Sequence, residues 1–348
     1  MKKLLLTTAL IGSTLVAGNA IAQTTVSGNL NIAYKASEAK GAAAASTTNS
    51  GRGFGNEQQI NIQNKGKLNN GMDYAAGFSI ENDGGQSATL FNENVYIDFI
   101  SGNTTVTIGM DHIQNIDRMV STFISGIEAV DMATGVNGTA IFAANAVGAN
   151  PAQAYHVGVT QTVPGFGKFS ALYAPSNDAT QGTGVSDKGF VETDSESAYE
   201  VGFTGDLGVK GLTTHAFYNK QNATAGSKAA TAANVNDLTG KNIGAAYNFG
   251  TISAGYDYKK NGAQTVNADI TQHSYGIAYT VTPNVTLVGN YTKADKQGTA
   301  ADAKSKQVSI GYNLGPVVLV GSYADQSNIT GVSGVDAKIV YLTARTFF

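Results

Sequence analysis

Apolar and polar residues alternate with a period of two along most of this 348-residue chain. Alternation of that kind places the two sets on opposite faces of an extended strand. Leu30, Ile32 and Tyr34 fall on one face, and Asn29, Asn31 and Lys35 on the other. Ile60 and Ile62 stand against Asn61, Gln63, Lys65 and Lys67, and Val95, Ile97 and Phe99 against Asn94, Tyr96 and Asp98. Tight-turn signals separate the runs, as at Asn69-Asn70-Gly71 and Ser101-Gly102-Asn103. Later hairpins repeat the rhythm: Ile243, Ala245, Tyr247 and Phe249 turn at Gly250 into Ile252, Ala254, Tyr256 and Tyr258. Counting gives sixteen strands. The last, Gly334 to Phe348, carries Val340, Leu342, Ala344, Thr346 and Phe348 on one face, with Lys338 and Arg345 assigned to the other. It ends on two phenylalanines, where a soluble domain leaves polar, frayed residues. The expectation is a closing strand, because only closure removes both edges of an antiparallel sheet.

Alternation alone does not separate a soluble sandwich from a membrane barrel, since both read the same along a strand. Three features favour the barrel. Tyr34, Tyr218, Tyr258, Tyr291 and Tyr323 recur near strand ends, as an interfacial girdle requires. Short turns alternate with longer connections throughout, and an even strand count puts both ends of the chain on the short-turn side. The third feature is the clean apolar set, because a charge at mid-depth in lipid costs about 2–4 kcal/mol. No segment approaches the 18 consecutive apolar residues of a membrane helix. At the N-terminus, Lys2 and Lys3 precede an apolar run from Leu4 to Val16 and a small-residue site at Ala20-Ile21-Ala22, the pattern of a cleaved signal peptide over residues 1–22. Its removal takes two lysines and moves the formal charge from −3 to −5. That mildly acidic balance argues against a nucleic-acid binder, which would show a basic stripe. Cysteine is absent, which excludes disulfides and thiolate metal sites.

The rhythm breaks from about Ile113 to Pro151, after the fifth strand. Taken together, the signal peptide, the strand Val26–Tyr34 that follows at once, the hairpins, this interruption and the terminal Phe348 resemble the general porins of Gram-negative bacteria. The resemblance covers all of residues 23–348, with one departure at Thr346, where such porins usually carry an aromatic residue. It implies an all-β, 16-stranded antiparallel transmembrane β-barrel, usually a homotrimer, in the outer membrane. It implies passive diffusion of small hydrophilic solutes and ions, a third loop inserted into the lumen (about 113–151), and Phe348 as the assembly signal. Outer-membrane lipid, lipopolysaccharide and the outer-membrane assembly machinery are the partners it brings. No cofactor and no metal are expected.

A diffusion pore selects by charges at its narrowest point. On the interrupted stretch Asp117, Glu128 and Asp131 are the candidate acids, and Asp111 closes the fifth strand at its entry. Lys35, Lys65 and Lys67 on inward strand positions, with Arg118, are the candidate basic wall. A field between the two would orient dipolar solutes. Enzymatic motifs are missing: His112, His156, His215 and His273 lack metal-ligand spacing. Gly51-Arg52-Gly53-Phe54-Gly55 precedes a strand rather than a helix and is expected to be loop. A solute-specific channel and a structural or adhesive barrel stay open as alternatives. The first would need inward aromatic residues, of which Tyr96 and Tyr341 are the clear ones.

Overall fold

The computed structural model describes residues 23–41, 51–83, 91–110, 112–113, 151–175, 197–222, 237–262, 269–329 and 331–348. Sixteen strands make up most of them: β1 (Gln23–Lys40), β2 (Gly51–Lys67), β3 (Asp73–Asp83), β4 (Phe91–Ser101), β5 (Thr104–Gly109), β6 (His156–Val163), β7 (Gly167–Ala174) and β8 (Ala198–Gly205). The second half comprises β9 (Leu212–Gln221), β10 (Leu238–Asn248), β11 (Ile252–Gly262), β12 (Ile270–Thr282), β13 (Val285–Lys296), β14 (Ala303–Asn313), β15 (Val317–Ser327) and β16 (Asp336–Phe347). Each strand pairs antiparallel with its neighbours in sequence, and β1 pairs with β16, so the sheet is a closed barrel. Residues 1–22 lie outside the described residues.

Closure is set at the last residue of the sequence. The Gly28 N–H donates to the Phe348 carbonyl (2.8 Å), and the Phe348 N–H returns a bond to Gly28 O (3.1 Å). The β1–β16 register then runs from Asn29 opposite Phe347 to Lys40 opposite Asp336. A Cβ at Gly28 would stand 2.7 Å from the Phe348 ring, so the ring packs where no side chain intervenes.

The two faces carry opposite chemistry. Ile32, Ile97, Ile108, Val157, Ile243, Ile277, Val308 and Leu342 point outward and are exposed. Asn31, Asp98, Thr107, Asn219, Asn242, Gln272 and Gln307 point inward and are buried. A soluble sandwich has the reverse arrangement, so the outward face is built for lipid. Rings gather at both edges of that face. Tyr256, Tyr275 and Tyr291 follow one another across three strands near the long-connection end, the first pair tilted with centroids 5.1 Å apart and the second stacked at 6.3 Å. Phe166, Phe169 and Phe203 cluster at 4.8–6.3 Å beside the short turns.

Two sequence expectations change. Lys338 lies an even number of residues from Val340, so it shares their outward face and stands exposed opposite Asp325 of β15; Arg345 alone of that pair faces inward. Residues 51–55 are strand, not loop: Gly51 pairs with Ser37 and Gly55 with Ala33. Glycines carry no hydrophobic pattern, which hides a strand that contains three of them.

Candidate functional site

The inward face is a continuous polar wall, and its two halves are built differently. In the first half, a β-bulge between β3 and β4 places Asn94 at a positive φ of 49° and bends β4 just before Tyr96. Tyr96 turns inward, and its ring crosses β3 at Gly77, where a Cβ would lie 3.0 Å away. The Tyr96 hydroxyl thereby accepts a hydrogen bond from the Gln63 amide, two strands distant. The His112 ring stacks on Tyr96 with centroids 3.4 Å apart and planes within 1°. His112 Nε2 lies 3.0 Å from Asp98 Oδ2, and the Thr107 hydroxyl donates to Asp98 Oδ1 at 2.6 Å. Next to it, Ile113 packs on Ala152 and on Leu172 of β7. Both ends of the long connection between β5 and β6 are thus held against the inner wall.

On the neighbouring strands the amide of Gln59 donates to Glu81 Oε2 (3.0 Å), and Asn29 donates to Gln59 Oε1 (3.4 Å). Lys35 is inward, opposite Tyr341 on β16 and Gly53 on β2. Lys65 is inward and exposed, opposite Gln23 and Ala75. Lys67 sits at the short-turn rim, where its ammonium bonds Asp73 at 2.6 Å with both side chains more than half exposed. Asp111, Asp117, Arg118, Glu128 and Asp131 lie outside the described residues.

The second half holds charges that the pattern alone did not single out. Asp257 of β11 accepts from the Asn242 amide (2.6 Å), and its Oδ1 lies 2.8 Å from His215 Nε2. His215 and Asp257 belong to β9 and β11 and meet across Gly244 of β10, where a Cβ would stand 2.6 Å from the imidazole Nε2 and closer still to its ring carbon. Lys259 follows at the next inward position, between Asn242 and Gln272. Asn219 donates to Glu200 (3.2 Å). All of these are fully buried against the wall. Their inward parity is readable from Asp257 and Lys259 flanking Tyr258; the partnership across a glycine is not.

Across the middle of β13–β15 the wall loses its charges. Ser274, Thr292, Ser305 and Gln326 form one row across four strands, by register. Above this row the last connection turns inward. Ile329 and Val335 pack on the inward alanines Ala294, Ala303 and Ala337. Asn328, at a φ of 54°, fixes the turn: its amide donates to Asp302 O (3.1 Å), and its Oδ1 accepts from the Gly334 N–H (3.0 Å). The outer mouth is therefore partly roofed on this side. Among the described residues no cluster of three or more His, Cys, Asp or Glu side chains is arranged to hold a metal ion.

The sequence profile of a family described as Gram-negative porin matches residues 7–331. Two solved structures share the fold. One, described by the asymmetric conductivity of engineered proteins, has 17% identity and a TM-score of 0.59, covering 94% of this chain and 100% of that one. A triple mutant of the Rhodopseudomonas blastica porin has 16% identity and a TM-score of 0.59, with the same coverage. No curated protein matches the sequence.

Proposed function

This chain belongs to the Gram-negative porin family, and from that premise we propose how its lumen selects what passes. The protein is an outer-membrane channel for passive diffusion. One observation carries the physical side of that conclusion: a closed 16-stranded barrel exposes its apolar residues and turns its amides, hydroxyls and charges inward. Such a wall replaces part of the hydration of a passing solute and offers nothing to an apolar one.

In this reading residues 1–22 are removed on export, residues 23–348 form the barrel, and the stretch 113–151 folds inward as the constriction. The support is local: His112 and Ile113 at its start, and Ala152 at its end, are already pinned to the inner wall. Asp111, Asp117, Glu128 and Asp131 then supply the acidic side of the constriction, and Lys35, Lys65 and Arg118 the basic side. Lys67, paired at the rim, acts at the inner exit. Phe348 is the assembly signal, seated over Gly28. A homotrimer is the expected assembly, and small hydrophilic solutes and ions are the cargo.

The test is a planar bilayer under a KCl gradient. Mature protein gives stepwise conductance, grouped in threes for a trimer, with a zero-current potential on the cation side. Glu128→Gln with Asp131→Asn moves that potential toward zero. A silent bilayer from correctly folded barrels would exclude a pore.

A further inference from the structure

The closing strand puts an aromatic ring into the lumen beside a guanidinium. On β16 the residues Tyr341, Thr343, Arg345 and Phe347 share the inward face, while Phe348 packs outward over Gly28. The parity is fixed by Thr343, whose hydroxyl donates to the buried Asn31 of β1. Phe347 stands opposite Asn29 in register and is 57% exposed. The Arg345 guanidinium lies over the Phe347 ring, 5.9 Å from its centroid. A cation is held over a ring face by the ring quadrupole, and the rest of this ring stays open to the lumen.

The same pairing of ring and cation recurs higher on the strip. Tyr341 is half-buried against Ala324 and Ile339 and stands opposite Lys35 of β1. At roughly 3.3 Å per residue, Tyr341 and Phe347 lie about 20 Å apart along the strand. Between them Thr343 and Asn31 offer a hydroxyl and an amide. No carboxylate side chain intrudes: among the described residues, no inward strand position on β12–β16 or β1 holds one. The charged side chains there are Lys35, Arg345 and, at the outer end of β13, Lys296. The first inward acid beyond the strip is Glu57 of β2, opposite Asn31.

We propose that this strip of β16 and β1 is a lane for aromatic carboxylates. The carboxylate bonds the Arg345 guanidinium while the solute ring packs on the open part of Phe347, and Lys35 with Tyr341 repeats the contact toward the outer mouth. A planar guanidinium takes a carboxylate through two parallel bonds, and offset or edge-on ring packing adds to that hold. An aliphatic carboxylate gains only the charge, and a neutral aromatic only the ring. Two weak stations in series suit passage, because a site that admits a solute must also release it. The lane presupposes the open lumen of the proposed channel.

The experiment uses the full mature protein in planar bilayers, where benzoate and cyclohexanecarboxylate are added in turn and the fractional block of the KCl current is recorded. Binding of the same two acids to the protein in detergent is followed in parallel by saturation-transfer NMR. Wild type is half-blocked at about a fivefold lower concentration of benzoate, the contribution of one aromatic pair. Phe347→Leu, which keeps the apolar bulk, loses most of that preference. Arg345→Gln raises the half-blocking concentration of both acids about tenfold, the loss of one hydrogen bond to a charged group, and Arg345→Lys recovers it only in part. The heat-sensitive shift in gel mobility establishes that each variant has closed. Equal block of the wild type by the two acids overturns the lane without recourse to any variant. Unchanged preference in Phe347→Leu with unchanged block in Arg345→Gln overturns its assignment to β16. A silent bilayer with benzoate still bound in detergent counts against the channel, whereas a conducting pore that neither binds nor is blocked counts against the lane.

Discussion

At the scale of single residues, glycine decides where large side chains go. Phe348 lies over Gly28, Tyr96 over Gly77, and the His215–Asp257 pair closes over Gly244. Each glycine lets a side chain on one strand reach across the next. Overfilling such a contact costs about 1–3 kcal/mol. Gly28→Val therefore unseats Phe348 and slows closure; the folded fraction, read from the heat-sensitive shift in gel mobility, falls well below wild type and is restored by Gly28→Ala only in part. Asp98 is a different case. It accepts from Thr107 and faces His112, and a hydrogen bond to a charged group contributes about 1.5–3 kcal/mol. Asp98→Asn weakens the hold on His112 where the long connection begins, and single-channel recordings show greater open-channel noise at unchanged mean conductance. Asp98 was visible in the sequence as an inward residue. Its partner was not, because the bulge at Asn94 and the turn after Gly109 bring His112 back onto Tyr96, and neither leaves a periodic signature.

At the scale of the strand, parity is the physical rule that made most of the fold legible. Side chains two apart share a face, so β4, β11 and β14 could be assigned inward and outward from the alternation alone. Where the rule had little to act on, the assignment failed: Gly51, Gly53 and Gly55 hid the start of β2. Outward parity also makes a prediction on Ile277 of β12. Ile277→Arg places a charge against lipid and costs about 2–4 kcal/mol toward the bilayer midplane, less near an interface; a lower midpoint in urea-dependent folding into vesicles checks it. Connections were less legible than strands. The last one, after β15, packs Ile329 and Val335 into an alanine-lined pocket that no alternation announces. Removing most of a buried isoleucine costs about 2–5 kcal/mol. Ile329→Ala accordingly loosens residues 328–335 and exposes them to protease, while the barrel keeps its heat-resistant mobility.

At the scale of the whole molecule, the inner wall holds a charge balance that composition conceals. The chain carries a net formal charge of −3, yet the inward carboxylates of Glu57, Glu81, Asp98, Glu200 and Asp257 face an inward set of Lys35, Lys65, Lys168, Lys259 and Arg345. Charges of both signs on one wall leave only a small mean potential, so ion preference is open to shifts by single residues. Lys65 and Lys168 are the informative pair, because both side chains are exposed on the inner wall. Replacing both with glutamine makes the channel more cation-preferring, and Glu57→Gln moves it the other way. Screening fixes the size of either shift: the Debye length is about 10 Å at 0.1 M salt and about 3 Å at 1 M. The zero-current potential in a KCl gradient should therefore move clearly with a dilute side near 0.1 M and hardly at all when both sides exceed 1 M. Equal displacement at both strengths would mean that the substitutions changed the width of the lumen rather than its field.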